Sequence, residues 1–457
     1  MPSFSRTGLG SLQETETDSL TSASDLFAQE LVETSVISRK NCIARPNALS
    51  NTGPLHIAIP PEGDLLIDPA SFRLHGICRV KKYAAASSSW VDLEDADSTK
   101  VSPVNLFTKS IFKDIQTYIQ QTLVTLVATP AYPLKAYLET VASFGMDAAS
   151  GHLKCSYWEK DAPGKHDSTT DNPAFAKRHK IIKGSRQVTI AEVLHTELTT
   201  MNKYILPGLD ISFVLSLNEP GYYLQTSANN NDIYQLQYED LYIAYDRVEL
   251  KPSILSSVET KLKSSSNQVN YFIARSIIRS RQVSAQEGNL LWPTLFTGAL
   301  PETVTICMID SQAFNGSKTK NMFNLQHFDI ESLSLRVNSQ IHPCMPLKSR
   351  LEDKDGIELY RHFQDHLGIG ASNNPSLITY DDFIDGSTII PFDLTPDKCA
   401  LFHNHPKIFG NIELSLKFAK VLPIGITIIA LCNYSDQIHI TGPIDNREVL
   451  LNPHMAA

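Results

Sequence analysis

Apolar and polar residues alternate with a period of two through much of this chain. In SFRLHGICRV (71–80), Phe72, Leu74, Cys78 and Val80 interleave with Arg73, His75 and Arg79. Successive side chains of an extended strand point to opposite faces, so this spacing predicts a strand with one buried face. The same period recurs in LDISFVLSLN (209–218), ESLSLRVN (331–338) and NIELSLKF (411–418). Strands of this kind suit antiparallel sheets covered on one side. ITIIALCNY (426–434) is more continuously apolar, which predicts a central strand.

Helical spacing is scarcer. YPLKAYLETVAS (132–143) sets Leu134, Tyr137, Leu138 and Val141 three, four and seven residues apart, with Pro133 early, where a proline is tolerated. SILSSVETKLK (253–263) predicts a second helix, with Ser253 as N-cap and Leu255, Val258 and Leu262 aligned. LYRHFQDHLG (359–368) predicts a third, with Leu359, Phe363 and Leu367 on one face and Gly368 as its stop.

At 457 residues and 50.7 kDa the chain exceeds the roughly 250–300 residues at which single cores stop growing. The β pattern is weakest at KLKSSSNQ (261–268), which divides it into a polar arm (1–50), a first domain (51–263) and a second (264–457). The arm sets Glu14, Glu16, Asp18, Asp25, Glu30 and Glu33 against Arg6 and Arg39, and reads as mobile. About eight strands per half, irregularly spaced and joined by long loops, suit a Greek-key sandwich or jelly roll used twice, although no sequence repeat is visible.

Hydrophobic residues at 42% and charged residues at 19% fit a globular chain. The formal net charge of −9 gives no general attraction to nucleic-acid phosphates, so specific nucleic-acid binding is not expected. The polar start and the lack of an uninterrupted apolar run of about 18 residues predict neither a secretory signal nor a membrane span, and a protein made in the cytosol. Cys42, Cys78, Cys155, Cys307, Cys344, Cys399 and Cys432 form no CxxC pair and read as reduced, mostly buried thiols. The sequons at Asn315 and Asn433 read as chance matches.

Candidate chemistry is thin. His362 and His366 stand four apart on a predicted helix, a spacing that can share a metal, but HFQDH lacks the glutamate of HExxH and reads as a solvated helix face. His403 and His405 form an HxH in a proline-bounded loop with no third ligand nearby. Asp353, Asp355, Asp381 and Asp382 sit among turn-forming residues and read as solvated acids rather than general acid–base pairs. KRHKIIKGSR (177–186) reads as a strand start beside a charged loop, and Arg275, Arg279 and Arg281 read as the polar surface of a sheet. With no GxSxG, GxGxxG or phosphate-loop motif, no residue is assigned as catalytic, cofactor-binding or metal-binding, and an enzyme is not expected.

The ordered segments carry a resemblance. Phe314-Asn315-Gly316, leading through Phe323-Asn324 and Gln326-His327-Phe328 to SLSLRVNSQ (332–340), resembles the major capsid proteins of Maverick/Polinton elements and adintoviruses. SDLFAQELVETSV, VNLFTKSIFKDIQTYIQQTLV, YPLKAYLETVASFG and CSYWEKDAPGKHD precede it in the family's order. IIPFDLTPD and GNIELSLKFAKVLPIGITIIALCNY follow, so the resemblance runs from about residue 24 to 440. It implies an all-β double jelly roll: two eight-stranded sandwiches standing side by side, three chains forming a pseudo-hexameric homotrimer that tiles an icosahedral shell around double-stranded DNA. Implied partners are the chain itself, neighbouring capsomers and a penton or minor capsid protein; the implied location is the virion, with assembly in the nucleus as one option. A β-sandwich binding module, lectin-like or spike-type, remains the alternative. A cupin-type metal enzyme would need a histidine and glutamate set on adjacent strands, whereas the histidines here fall mainly in predicted loops or helix.

Overall fold

The computed structural model describes residues 33–451 except 86, 127–130, 264–266, 354, 370–375 and 401–404. Sixteen strands build two sandwiches. The first holds β1 (Val36–Ala44), β2 (Leu55–Ile59), β3 (Leu66–Ala84), β4 (Phe112–Ile119), β5 (Thr122–Leu123), β6 (Val188–Val193), β7 (Ile211–Leu217) and β8 (Tyr234–Leu250). The second holds β9 (Val269–Val283), β10 (Asn289–Ala299), β11 (Thr303–Asp310), β12 (Ile330–Val337), β13 (Gln340–Lys348), β14 (Ile389–Asp393), β15 (Phe409–Phe418) and β16 (Ile426–Thr441).

All pairings among these strands are antiparallel. The first sandwich has the sheets β1-β8-β3-β6 and β2-β7-β4-β5; the second has β9-β16-β11-β14 and β10-β15-β12-β13. Adding eight to each label of the first pair of sheets gives the second pair. This order, alternating between two facing sheets, is the double Greek key of a jelly roll. One topology is therefore used twice, with short additions at Ser89–Val91 on β3 and Glu448–Leu451 on β16.

The expected strands lie where the alternation put them. Phe72, Leu74, Cys78 and Val80 of β3 point inward opposite Ile211, Phe213 and Leu215 of β7, and Phe72 meets Phe213 edge to face at 5.3 Å. In the second sandwich Ile412, Leu414 and Leu416 of β15 and Leu333 and Leu335 of β12 supply one wall. Ile426 to Cys432 of β16 are buried without interruption, because the strand is central and its sheet is covered on both faces.

The outer cover comes from helices α1 (Tyr132–Ser143) and α4 (Ile357–His366). Leu138 and Val141 of α1 and Phe363 of α4 flank a cleft of about 190 Å³ over Thr303, Thr305 and Leu431. Both helices lie in the connection between the sixth- and fifth-ranked strands of a sandwich: α1 between β5 and β6, α4 between β13 and β14. The cores interlock further, since Tyr271, Ile273, Ile438 and Ile440 of the second sandwich pack with the first.

Four expectations change. Residues 1–32 lie outside the described residues, but Val36–Ala44 of the expected arm is β1, whose ladder with β8 gives it backbone partners. Residues 177–182 belong to helix α2 (Pro173–Ile182), not to a strand: Asn172 caps it by accepting from the Ala174 N–H at 3.2 Å, Pro173 opens it, and Phe175, Arg178, His179 and Ile182 face inward. Helix α3 (Pro252–Leu262) begins one residue before Ser253, so Pro252 occupies the first turn and Ser253 is no cap. The third prediction ends as expected, with Gly368 in the left-handed region at φ +69°.

The last change concerns Arg275, Arg279 and Arg281. They point between the two sheets rather than to solvent. Arg275 is buried and pairs with buried Asp436 at 2.9 Å. Arg279 lies 5.6 Å from the Phe296 ring and Arg281 5.9 Å from Trp292, both on β10 of the facing sheet. Stacking on aromatic faces lets guanidinium groups line the rim of a core.

Candidate assembly surfaces and the junction between the sandwiches

The loop from Ala313 to Asp329, between β11 and β12, is fastened to the first sandwich by a buried polar network. Arg178 of α2 is fully buried, and its Nη2 donates to Asp161 Oδ1 at 2.6 Å. Its other nitrogens donate to the carbonyls of Pro103 and Glu159, each at 2.7 Å. Asp161 accepts in turn from Asn172 at 2.6 Å and from Asn321, across the junction, at 2.9 Å. Removing a charge from water is costly, and here both carboxylate oxygens of Asp161 have a specific donor in return.

Around this network the backbones meet closely. The Asn321 N–H donates to Asp167 at 2.7 Å and the Thr226 N–H to the Lys318 carbonyl at 2.7 Å. A Cβ on Gly221 would collide with the carbonyl of Gly316, so this crossing requires glycine. Phe323 stacks on Tyr137 at 4.8 Å, and Tyr137 stacks on Trp158 at 6.1 Å. Lys160 pairs with buried Asp382, which also closes a capping box with Thr379.

Two further clusters tie the pieces together. Arg447, after β16, reaches Glu259 of α3 and donates to the Gly442 carbonyl. Under α1, His195 Nδ1 faces Glu139 at 2.7 Å and its Nε2 faces Lys109 at 2.5 Å. Burial lowers the Lys109 pKa. Burial would raise that of Glu139, but Lys135, His195 and Lys109 hold it below its ordinary value. Lys135 bridges to buried Glu197 at 3.2 Å.

The candidate residues do not converge. Among the described residues no group of three or more His, Cys, Asp or Glu is placed to hold a metal ion. His362 and His366 do not form a solvated face: α4 lays them against β14, with His362 Nε2 2.6 Å from the Pro391 carbonyl and its ring 5.2 Å from Phe392. Burial lowers both pKa values, that of His366 to about 4. His403 lies outside the described residues. His405 sits between Asp397 (2.9 Å) and Glu302 (3.3 Å); burial opposes its charge, but these two carboxylates raise its pKa.

Asp355 pairs with Arg350 at 3.0 Å, Asp353 and Asp381 are exposed, and Asp382 belongs to the junction. The thiols are less uniformly buried than expected. Cys78, Cys307 and Cys432 are buried, which pushes each pKa up to about 12, whereas Cys155, Cys344 and Cys399 are exposed. Asn315 ends a short helix, and Asn433 lies within β16, bonded to Thr303 at 2.9 Å. The Arg178 network carries little signal in the sequence: Asn172-Pro173 ahead of Phe175 and Ile182, seven residues apart, marks a helix start, but nothing local pairs Arg178 with Asp161.

Among the described residues no helix is long and apolar enough to cross a membrane. No protein-family model matches the chain. An uncharacterized protein of Caenorhabditis elegans is 22% identical over 348 residues, which cover 75% of this chain and 80% of that protein. Among solved structures, a chain of the Sputnik virophage aligns with a TM-score of 0.61 at 11% identity, covering 98% of this chain and 94% of its own. A chain of the PBCV-1 virus capsid gives 0.55 at 10% identity, covering 93% and 98%. The mavirus major capsid protein gives 0.52 at 10% identity, covering 99% and 97%. At such identities the likeness is one of fold, and it extends from end to end: the chain is a double jelly roll.

Proposed function

We propose that this chain is a major capsid protein that assembles with copies of itself into homotrimeric, pseudo-hexagonal capsomers of an icosahedral shell around double-stranded DNA. The observation that carries this reading is the repeated strand order, 1-8-3-6 with 2-7-4-5, in a chain whose whole length aligns with viral capsid chains. Two sandwiches locked by buried polar junctions make a stiff block with loops at both ends, which is what a tiling subunit needs. Its role is then structural rather than catalytic.

The finer parts of the proposal rest on the sequence. The ordered motifs from about residue 24 to 440 support a relation to Maverick/Polinton and adintovirus capsid proteins. A net charge of −9 favours a shell that encloses DNA without gripping it. A penton or minor capsid protein would complete the shell, the virion would be its location, and the division of the chain would fall between residues 263 and 264, after α3. Negative-stain imaging of the expressed chain tests the function: particles of hexagonal outline that form arrays are expected. Dispersed monomers that bind a glycan saturably and never assemble would replace this reading with a binding module.

A further inference from the structure

The second sandwich carries a histidine cluster for which a purely structural subunit has no evident need. Between the C-terminal half of α4, strand β13 and the start of the β14–β15 connection lies a cleft of about 290 Å³. His342 of β13, His362 and His366 of α4, and Lys398 line it together with Asp365 and Asp393. His366, Asp393 and Lys398 also line the neighbouring cleft under α1, beside apolar Leu138, Val141 and Leu431. The two ends of α4 are held differently. Tyr360 anchors the first turns, meeting Phe383 and Tyr380 edge to face, each at 5.4 Å. The C-terminal half is held by buried Phe363 and by His362, whose Nε2–H donates to the Pro391 carbonyl at 2.6 Å.

The cleft favours neutral imidazoles. Burial lowers the pKa of all three histidines, and the Lys398 ammonium lowers each further. Asp393 opposes this at His366, where His362 adds to it; the Pro391 carbonyl, Asp365 and Glu358 oppose it at His362. The last turn of α4 favours a cation at residue 366, but by less than burial opposes one. The carboxylates that could take up new positive charge already have partners. Asp393 accepts from the Thr395 N–H at 2.8 Å and its hydroxyl at 2.6 Å, Asp365 pairs with Arg361 at 2.8 Å, and Glu139 of α1 faces His195 at 2.7 Å. With Lys398 set against Asp365 and Asp393, the lining charge is −1; three protons would make it +2.

We propose that this cluster is an acid-sensitive latch: the three neutral imidazoles seat the C-terminal half of α4 on β14, and their protonation lifts it off while the rest of the sandwich stays folded. The closed form binds these protons less readily than the open one, so the latch is fully closed above about pH 6.5 and loosens as pH falls towards 4. With an ordinary pKa of 6.5 when open and about 4 when closed, His366 alone multiplies the open fraction about thirtyfold between about pH 7.5 and about pH 5. In an icosahedral shell the latch would loosen each subunit in an acidic compartment. That consequence rests on the capsid reading, whereas the latch itself belongs to the single chain.

Hydrogen–deuterium exchange of the full-length chain, expressed as protection relative to intrinsic exchange rates, tests the latch. From about pH 7.5 to about pH 5 the amides of 363–369 should lose protection by about thirtyfold or more, while those of β9, 269–283, keep theirs. His366→Gln and His362→Gln, which cannot take up the proton, should each weaken that pH dependence, whatever their protection at neutral pH. Lys398→Glu, at an exposed position, offers the three imidazoles a carboxylate in place of a cation and should cut the loss below about tenfold. A wild-type loss under about threefold, an equal loss in wild type and all three variants, or a loss shared by 269–283 would overturn the latch. The readout lies within one chain, so a protein that never leaves the monomer would remove the capsid reading and leave the latch standing.

Discussion

Arg178 shows how a single residue can fasten two halves of a molecule. Among the described residues it heads the fully buried side chains in size, and Asp161 with two carbonyls satisfies its buried guanidinium. Arg178→Ala would strand Asp161 in the interior, and a loss of about 3–5 kcal/mol in unfolding free energy is expected by chemical denaturation. His366 provides a second residue-scale test. Its folded pKa of about 4 lies below the ordinary 6.5, so the unfolded chain binds the extra proton first as pH falls. The neutral form's contribution is intact above about pH 6.5 and fades towards pH 4, by about 3 kcal/mol at most. His366→Leu should flatten that part of the stability–pH curve relative to wild type. Neither role was legible in sequence, because burial of a charged or titratable group depends on partners 17 to over 100 residues away.

Among the elements, the strands were the most legible and the connections the least. Alternation located β3, β7, β12 and β15 because a half-buried strand writes its two environments into successive residues. The arginines of β9 broke that rule, since stacking on Phe296 and Trp292 lets a charged side chain face inward. Helix α1 was placed from Tyr132 to Ser143 by its apolar stripe, but nothing local to it says that the stripe packs on the other sandwich. That contact is testable at Phe323, which stacks on Tyr137 of α1. Phe323→Ala should lower stability by about 3–5 kcal/mol. Limited proteolysis of the variant should cut first within 315–329, whereas unchanged cleavage would show that the loop is held by its polar bonds alone.

For the whole molecule, the doubled strand order is the informative feature: strand number and spacing suggest one architecture used twice, and only the strand order itself needs the structure, since the halves share topology without a sequence repeat. Topology is conserved by which strands neighbour which, while the residues between are free to differ. The two cores interlock through Tyr271, Ile273, Ile438 and Ile440, so the sandwiches share a continuous apolar contact.

The most direct measurement is the mass of the purified full-length chain by light scattering across a range of concentrations. The account predicts a folded species of three times the 50.7 kDa chain mass, persisting on dilution. A folded, monodisperse species of 50.7 kDa at every concentration would contradict it.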